Sequence, residues 1–219
     1  MKNVLITGAS RGIGKAVADE FLRHGWSVTG TSTTGDARTA APGMSLHRLN
    51  LAEPGSIREF SEKITARGTG IDVLVNNAGI ARDRRGPELP IDILRETLEV
   101  NLVGLIDLTE RLLPVIADGG HIINISSGLA SLSGDGPGAY SPAYSISKAA
   151  LNMYTRVLAV RLGARKITVS SVDPGWVRTD MGGAGAPRDP SEPAAELYAL
   201  VHAGVESGLF WHHGKRRSW

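Results

Sequence analysis

Short apolar runs alternate with longer amphipathic stretches from one end to the other of this 219-residue chain. Val4 to Ile6, Val28 to Thr31, Ile71 to Asn76, His121 to Ser126 and Ile167 to Val172 read as strands, several of them apolar at nearly every position. Such runs suit parallel strands covered on both faces. Between them Gly12 to His24, Pro54 to Arg67, Ile91 to Ala117, Pro142 to Gly163 and Ser191 to Ser207 space their apolar residues as helices do. Pro114 is expected to end or kink the third of these, because proline lacks the amide hydrogen and its ring crowds the preceding turn. The alternation predicts an α/β fold in one domain over 1–219. Its sheet is doubly wound and mostly parallel, of about seven strands with helices on both faces.

Two stretches depart from the plan. Ser45 to Leu49 is a candidate third strand, linked to the second only through Thr33 to Met44. With Gly35, Pro42 and Gly43 in so short a crossover, a stunted helix or an irregular link is expected. Gly182 to Pro193, rich in glycine, alanine and proline, reads as a short mobile substrate lid near 182–193. No repeat or compositional break marks a second domain.

Hydrophobic residues make up 42% and charged residues 21%, ordinary for a globular protein, and the net charge is only +2. No basic run is long or interleaved with aromatics, so nucleic acid is not an expected partner. Cysteine is absent, which excludes disulfides and thiolate metal sites. His212 and His213 read as surface or strand residues, and no metal is expected. The opening Met-Lys-Asn-Val-Leu-Ile-Thr-Gly is apolar for three residues, too few for a signal segment or a membrane span. The expectation is a soluble cytoplasmic protein with no membrane partner.

Thr7-Gly8-Ala9-Ser10-Arg11-Gly12-Ile13-Gly14 follows the first strand and opens the first helix. Gly8 permits the tight turn, Gly12 lets backbone approach a pyrophosphate, and Gly14 lets helix pack on strand, the Rossmann arrangement for a dinucleotide. The helix start adds unpaired N–H groups and the positive end of its dipole. An acidic residue ending the second strand would hold the ribose hydroxyls of NAD and repel a 2′-phosphate. Here the strand ends Thr31-Ser32-Thr33-Thr34, with no carboxylate before Asp36. Arg11 can reach a 2′-phosphate and the hydroxyls of Ser32 and Thr33 can donate to it, so NADP(H) is expected over NAD(H).

Tyr144 and Lys148 stand at i and i+4, on one helical face and one turn apart. A free phenol titrates near pH ~10. A fixed ammonium beside it stabilises the phenolate and draws the group toward the working range of an acid–base catalyst.

With the glycine turn and this pair in place, the chain resembles the short-chain dehydrogenase/reductase family in its compact, non-extended branch. Further matches follow in family order. Asn76-Asn77-Ala78-Gly79 closes the fourth strand, where the family steadies the sheet and contacts the cofactor. Asn101, after Val100, resembles the catalytic asparagine, and Ser127, in Ile125-Ser126-Ser127-Gly128, the catalytic serine. Pro174-Gly175, with Thr179 beyond, resembles the segment at the nicotinamide end. The run from Asp173 through Trp176 to Gly182, and the closing Gly214-Lys215 to Trp219, are similar to a C-factor-like or carbonyl-reductase-like subgroup.

The resemblance spans essentially the whole chain and implies catalytic Asn101, Ser127, Tyr144 and Lys148. It implies cofactor contacts at Gly8, Ser10, Arg11, Gly12, Ile13, Gly14, Ser32, Thr33, Asn50, Leu51, Asn77, Ala78, Gly79, Tyr144, Lys148, Pro174, Gly175, Val177 and Thr179. In such proteins the residue matching Ser127 holds a carbonyl oxygen and the one matching Tyr144 gives it a proton. Lys148 would lower the phenol's pKa and hold nicotinamide-ribose hydroxyls, and Asn101 would position a water for proton resupply. The implied function is an NADP(H)-dependent oxidoreductase that interconverts a carbonyl and an alcohol on a small molecule. The implied assembly is a homodimer or homotetramer through Ile91 to Ala117 and Pro142 to Gly163. The alternative is an NADP(H)-binding signalling or regulatory protein with little turnover, which would have no need of an intact proton donor.

There are departures from the family pattern. Ser127 and Tyr144 are seventeen residues apart, more than in many members, and the excess falls in glycine-rich Leu129 to Tyr140. Tyr140 is a second phenol, but it has a tyrosine rather than a lysine at i+4. Asn50 stands where many members place an adenine-contacting Asp, although both side chains accept hydrogen bonds. Arg82, Arg84 and Arg85 read as a solvated basic loop, and Lys215-Arg216-Arg217 as a cluster too short for nucleic acid or membrane. Trp176 and Met181 are expected on the substrate side of the cleft.

Overall fold

The computed structural model describes residues 1–83, 87–133 and 140–219. Among these, eight strands form one sheet in the order β3-β2-β1-β4-β5-β6-β7-β8. They are β1 (Asn3–Ile6), β2 (Ser27–Ser32), β3 (Ser45–Arg48), β4 (Ile71–Asn76), β5 (Ile116–Ile125), β6 (Thr168–Asp173), β7 (Leu209–His212) and β8 (Lys215–Arg217). Every neighbouring pair is parallel except the closing hairpin of β7 and β8. Winding reverses between β1 and β4, and a doubly wound sheet binds ligands outside the carboxyl ends of its strands at such a switch point.

Successive strand side chains point to opposite faces, so each strand feeds two cores. Val4 and Ile6 of β1, Val73 and Val75 of β4 and Ile123 and Ile125 of β5 meet α1 (Gly12–Arg23) and α6 (Ser191–His202), where Phe21 and Leu197 are buried. Leu5, Leu74 and Ile122 face the other way. They meet α2 (Pro54–Ala66), α4 (Gly104–Leu112) and α5 (Pro142–Arg161) through Phe60, Leu105, Leu108 and Leu151. Each fully buried Leu or Ile contributes ~1.5–3 kcal/mol. A buried polar ladder crosses the second core. Asn76 donates to Thr109 Oγ1 at 3.0 Å and to Asn124 Oδ1 at 2.9 Å, and Asn124 donates to Thr155 Oγ1 at 2.9 Å. Asn76 thus steadies the sheet, as expected.

The stretch expected to be helical from Ile91 to Ala117 keeps helical backbone as far as Val115 and ends just past Pro114, as expected, but its winding changes on the way. α3 (Ile91–Leu98) passes into a π turn over Glu99–Val103, then α4, then a 3₁₀ turn at Leu113–Val115 that holds Pro114. β5 then starts at Ile116 instead of His121, because Ile116 pairs with Ile71 across a register shift. α6 stops at His202, short of Ser207. The short crossover holds one 3₁₀ turn, Ala37–Thr39, capped by Asp36 accepting the Arg38 N–H at 3.0 Å. The expected lid at 182–193 is anchored by backbone pairing. Arg178 N–H donates to Arg188 O at 2.8 Å, Arg188 N–H donates to Trp176 O at 3.3 Å, and α6 opens at Ser191. Among the described residues no helix is long and apolar enough to cross a membrane.

Candidate active site

A cleft of about 1010 Å³ runs along the carboxyl ends of the central strands. Its floor at β1 is the glycine turn. Gly12 has φ +56, a conformation that side chains with a Cβ rarely adopt. A Cβ on Gly14 would lie 2.3 Å from Gly8 O and 2.5 Å from Asn77 Nδ2, so only glycine lets α1 start this close to β1 and β4. The turn therefore presents bare backbone and a helix N-terminus to the cleft, which fits a dinucleotide pyrophosphate. Gly8, Ser10, Arg11, Gly12 and Ile13 line the cleft, while Gly14 lies behind it as a packing residue.

At the end of β2, Ser32 and Thr33 line the cleft. The first carboxylate along the chain after β2, Asp36, is engaged by Arg38 at 2.7 Å, and that guanidinium holds the carboxyl below its ordinary range. Arg11 pairs across the cleft with Asp180, both well exposed. Asn50 and Leu51 line the adjoining wall. Asn50 is occupied locally, its Oδ1 accepting Ala52 N–H at 3.1 Å and its Nδ2 donating to Glu53 at 2.8 Å.

After β4, Asn77, Ala78 and Gly79 form the next stretch of wall. Asn77 Nδ2 donates to Thr7 O at 2.9 Å and Gly8 O at 3.2 Å, so this loop braces the glycine turn. Asn101 is fully buried one layer behind the wall, at the π turn. Its Oδ1 accepts Ile80 N–H at 2.8 Å, and its Nδ2 donates to Ile80 O at 2.8 Å and Ser147 Oγ at 3.1 Å. The side chain thus clamps the loop to α5 and does not line the cleft.

Ser127 follows β5 and lines the cleft, its Oγ accepting Leu129 N–H at 3.2 Å. Tyr144 and Lys148 reach the same space from the first turns of α5. Lys148 Nζ donates to Ile125 O at 2.7 Å and lies 5.6 Å from the centroid of the Tyr144 ring. Only 3% of Lys148 is exposed, and burial brings its pKa from the usual lysine range down to about 8. Pro174, Gly175, Val177 and Thr179 close the far side with Trp176 and Met181. The Trp176 indole is held by its Nε1 donating to Gly182 O at 2.8 Å.

Some contributors were not legible in the sequence. Asp83 caps the start of α5, accepting Ala143 N–H at 2.5 Å and Tyr144 N–H at 3.3 Å from sixty residues away. Arg217 of the tail reaches Asp173 at 2.9 Å inside the cleft. Neither partnership leaves a local signal. Arg82 pairs with Glu96 at 2.8 Å at the rim. Arg84, Arg85 and positions 134–139 of the Leu129 to Tyr140 stretch lie outside the described residues. Among the described residues no cluster of three or more His, Asp or Glu is placed to hold a metal ion.

Comparison with known proteins agrees with this geometry. The short chain dehydrogenase family profile matches residues 2–188. The 3-oxoacyl-[acyl-carrier-protein] reductase of Escherichia coli K12 is 36% identical over 188 residues, covering 82% of this chain and 75% of that protein. Among solved structures, the NADPH-bound carbonyl reductase from chicken fatty liver is 29% identical with a TM-score of 0.86, covering 100% of this chain and 99% of that one. The carbonyl reductase Sniffer of D. melanogaster is 27% identical with a TM-score of 0.88, covering both chains in full (100% each). A Burkholderia cenocepacia short chain dehydrogenase in complex with NADP is 29% identical with a TM-score of 0.85, covering 96% and 95%.

Proposed function

This chain belongs to the short chain dehydrogenase family, and from that premise we propose that it is an NADP(H)-dependent oxidoreductase interconverting a carbonyl and an alcohol, with Tyr144 as proton donor and acceptor. The observation that carries the reading is the buried Lys148 ammonium, 5.6 Å from the Tyr144 ring in a cleft that Ser127 also lines. When bound, the nicotinamide supplies the hydride in reduction and takes it up in oxidation.

The chain's own groups handle the oxygen and its proton. As negative charge grows on the carbonyl oxygen, Ser127 Oγ and the Tyr144 hydroxyl donate hydrogen bonds to it, and the phenol proton passes to that oxygen. Lys148 stabilises the phenolate left behind and holds the nicotinamide ribose. Asn101 acts on the site through the loop it clamps to α5. Gly8, Ser10, Gly12 and Ile13 seat the pyrophosphate. Arg11, Ser32 and Thr33 hold the 2′-phosphate of NADP(H), and Arg11 gives up little in leaving Asp180, since exposed ion pairs are worth ~0–1 kcal/mol. NADP- and NADPH-bound neighbours in the family support this choice. The apolar side chains Met153, Val157 and Val160 stay exposed along α5 and support a homodimer or homotetramer through that helix.

The test is NADPH consumption with a panel of ketones, aldehydes and quinones. Tyr144→Phe is expected to lower kcat by ~10²–10⁴-fold while NADPH affinity stays close to wild type. Wild-type kcat in that variant would remove Tyr144 as proton donor. NADPH binding without turnover on any carbonyl would favour the regulatory alternative, and equal kcat/KM with NADH would defeat the cofactor choice.

A further inference from the structure

The hairpin of β7 and β8 lies beyond residue 188, where the family match ends, yet it reaches into the cleft. Arg217 is the last residue of β8. Its Nη1 donates to Asp173 Oδ2 at 2.9 Å, and its guanidinium rests 5.8 Å from the centroid of the Phe210 ring. Asp173 ends β6, is 4% exposed, and accepts Gly175 N–H on its other oxygen at 2.9 Å. His212 Nδ1 stands 3.0 Å from the Arg217-bound oxygen. A buried carboxylate left without its cation is strongly unfavourable, so this pairing is a firm joint.

The joint touches the serine end of the site. A Cβ on Gly128, the residue after Ser127, would lie 3.0 Å from Asp173 Oδ2 and 3.2 Å from Arg217 Nη1. The ion pair is therefore wedged between the turn after β5, which carries Ser127, and the turn after β6, which carries Pro174 and Gly175. Two residues further on, Trp219 stacks on Phe210 with ring centroids 5.4 Å apart, and its backbone oxygen accepts Ser133 N–H at 3.1 Å. The tail thus lies close against Gly128 at one end of the 128–133 segment and hydrogen-bonds Ser133 at the other.

We propose that Arg217 is a positioning residue that sets Ser127 against the substrate carbonyl, and that Trp219 straps the 128–133 wall over the substrate. The proposal rests on the reductase reading above. Arg217→Met, Arg217→Lys and Trp219→Ala are made in the full chain and assayed with the carbonyl that wild type reduces best. Arg217→Met is expected to lower kcat by roughly tenfold or more, the scale of an ångström-size misplacement, with the NADPH dissociation constant from fluorescence unchanged. Arg217→Lys, which keeps the charge opposite Asp173, is expected to restore part of that loss. Trp219→Ala is expected to raise KM for the carbonyl, leave kcat alone and speed hydrogen exchange at the Ser133 amide.

Wild-type kcat/KM in Arg217→Met would overturn the positioning role. So would a loss matched by equal losses of NADPH affinity and thermal stability and not relieved by lysine. An inactive wild type would sink the reductase reading instead, and unchanged Ser133 exchange in Trp219→Ala would still overturn the strap.

Discussion

Lys148 carries a conflict between stability and chemistry within one side chain. Its ammonium is almost wholly withdrawn from water and its pKa falls to about 8. An unfolded lysine titrates near ~10.4. Between about pH 8 and 10 the unfolded chain therefore binds more protons than the folded one, and stability rises with pH across that window; below about 8 the burial penalty is present in full. Lys148→Met removes a penalty of up to ~3 kcal/mol, less ~1 kcal/mol for the lost hydrogen bond to Ile125. The cofactor-free variant is expected to melt above wild type at pH 7 while turnover disappears, and the difference is expected to shrink as pH rises from 8 to 10. A variant that melts lower would show that the ammonium is not a burden on the fold. The pair it forms with Tyr144 was legible because both residues sit on one helix, where spacing along the chain is distance in space.

At the scale of elements, the start of α5 shows how the fold completes what the local chain lacks. Ser141 stands at the N-cap with φ 52 and ψ 56, and its side chain caps nothing. The first amides of a helix have no partner within it. Asp83 meets two of them from the loop after β4, and its charge also suits the positive end of the helix dipole. Asp83→Ala is expected to destabilise by ~1 kcal/mol, with Asp83→Asn closer to wild type because its amide oxygen still accepts. Urea unfolding with an unchanged m-value measures this, and an unmoved midpoint would mean that the cap is dispensable. The π turn at Asn101 belongs to the same scale. The apolar spacing runs on through Glu99–Val103, so nothing in the pattern marks the change from α to π winding.

For the whole molecule, two cores on the faces of one sheet leave the carboxyl edge open, and every loop of the site is hung from that edge. The exposed apolar stripe of α5 stands apart from both cores. Light scattering is expected to give two or four times the 23.1 kDa chain mass, and Val157→Glu, which sets a charge in that stripe, is expected to return a single chain. A wild-type monomer would remove this assembly. β7 and β8 escaped the sequence reading because β8, Lys-Arg-Arg, has no apolar position, and the two close the sheet as an antiparallel hairpin with no helix between them, outside the strand–helix alternation. The pairing of Arg217 with Asp173 went unseen with them, and Lys215-Arg216-Arg217 looked like ordinary surface charge.

The sequence by itself determined the layered α/β plan, the glycine turn and the placing of Tyr144 beside Lys148 on one helical face. Each of these rests on periodicity or on spacing within one strand, turn or helix, where backbone geometry converts position into proximity. Tertiary structure alone decided that Asp83 caps the helix of Tyr144, that Asn101 clamps Ile80 behind the wall, that Arg11 meets Asp180, and that Arg217 braces Asp173. Those partners are 60, 21, 169 and 44 residues apart. Only the packing of the two cores brings them together, because no local backbone rule relates residues so far apart in the chain.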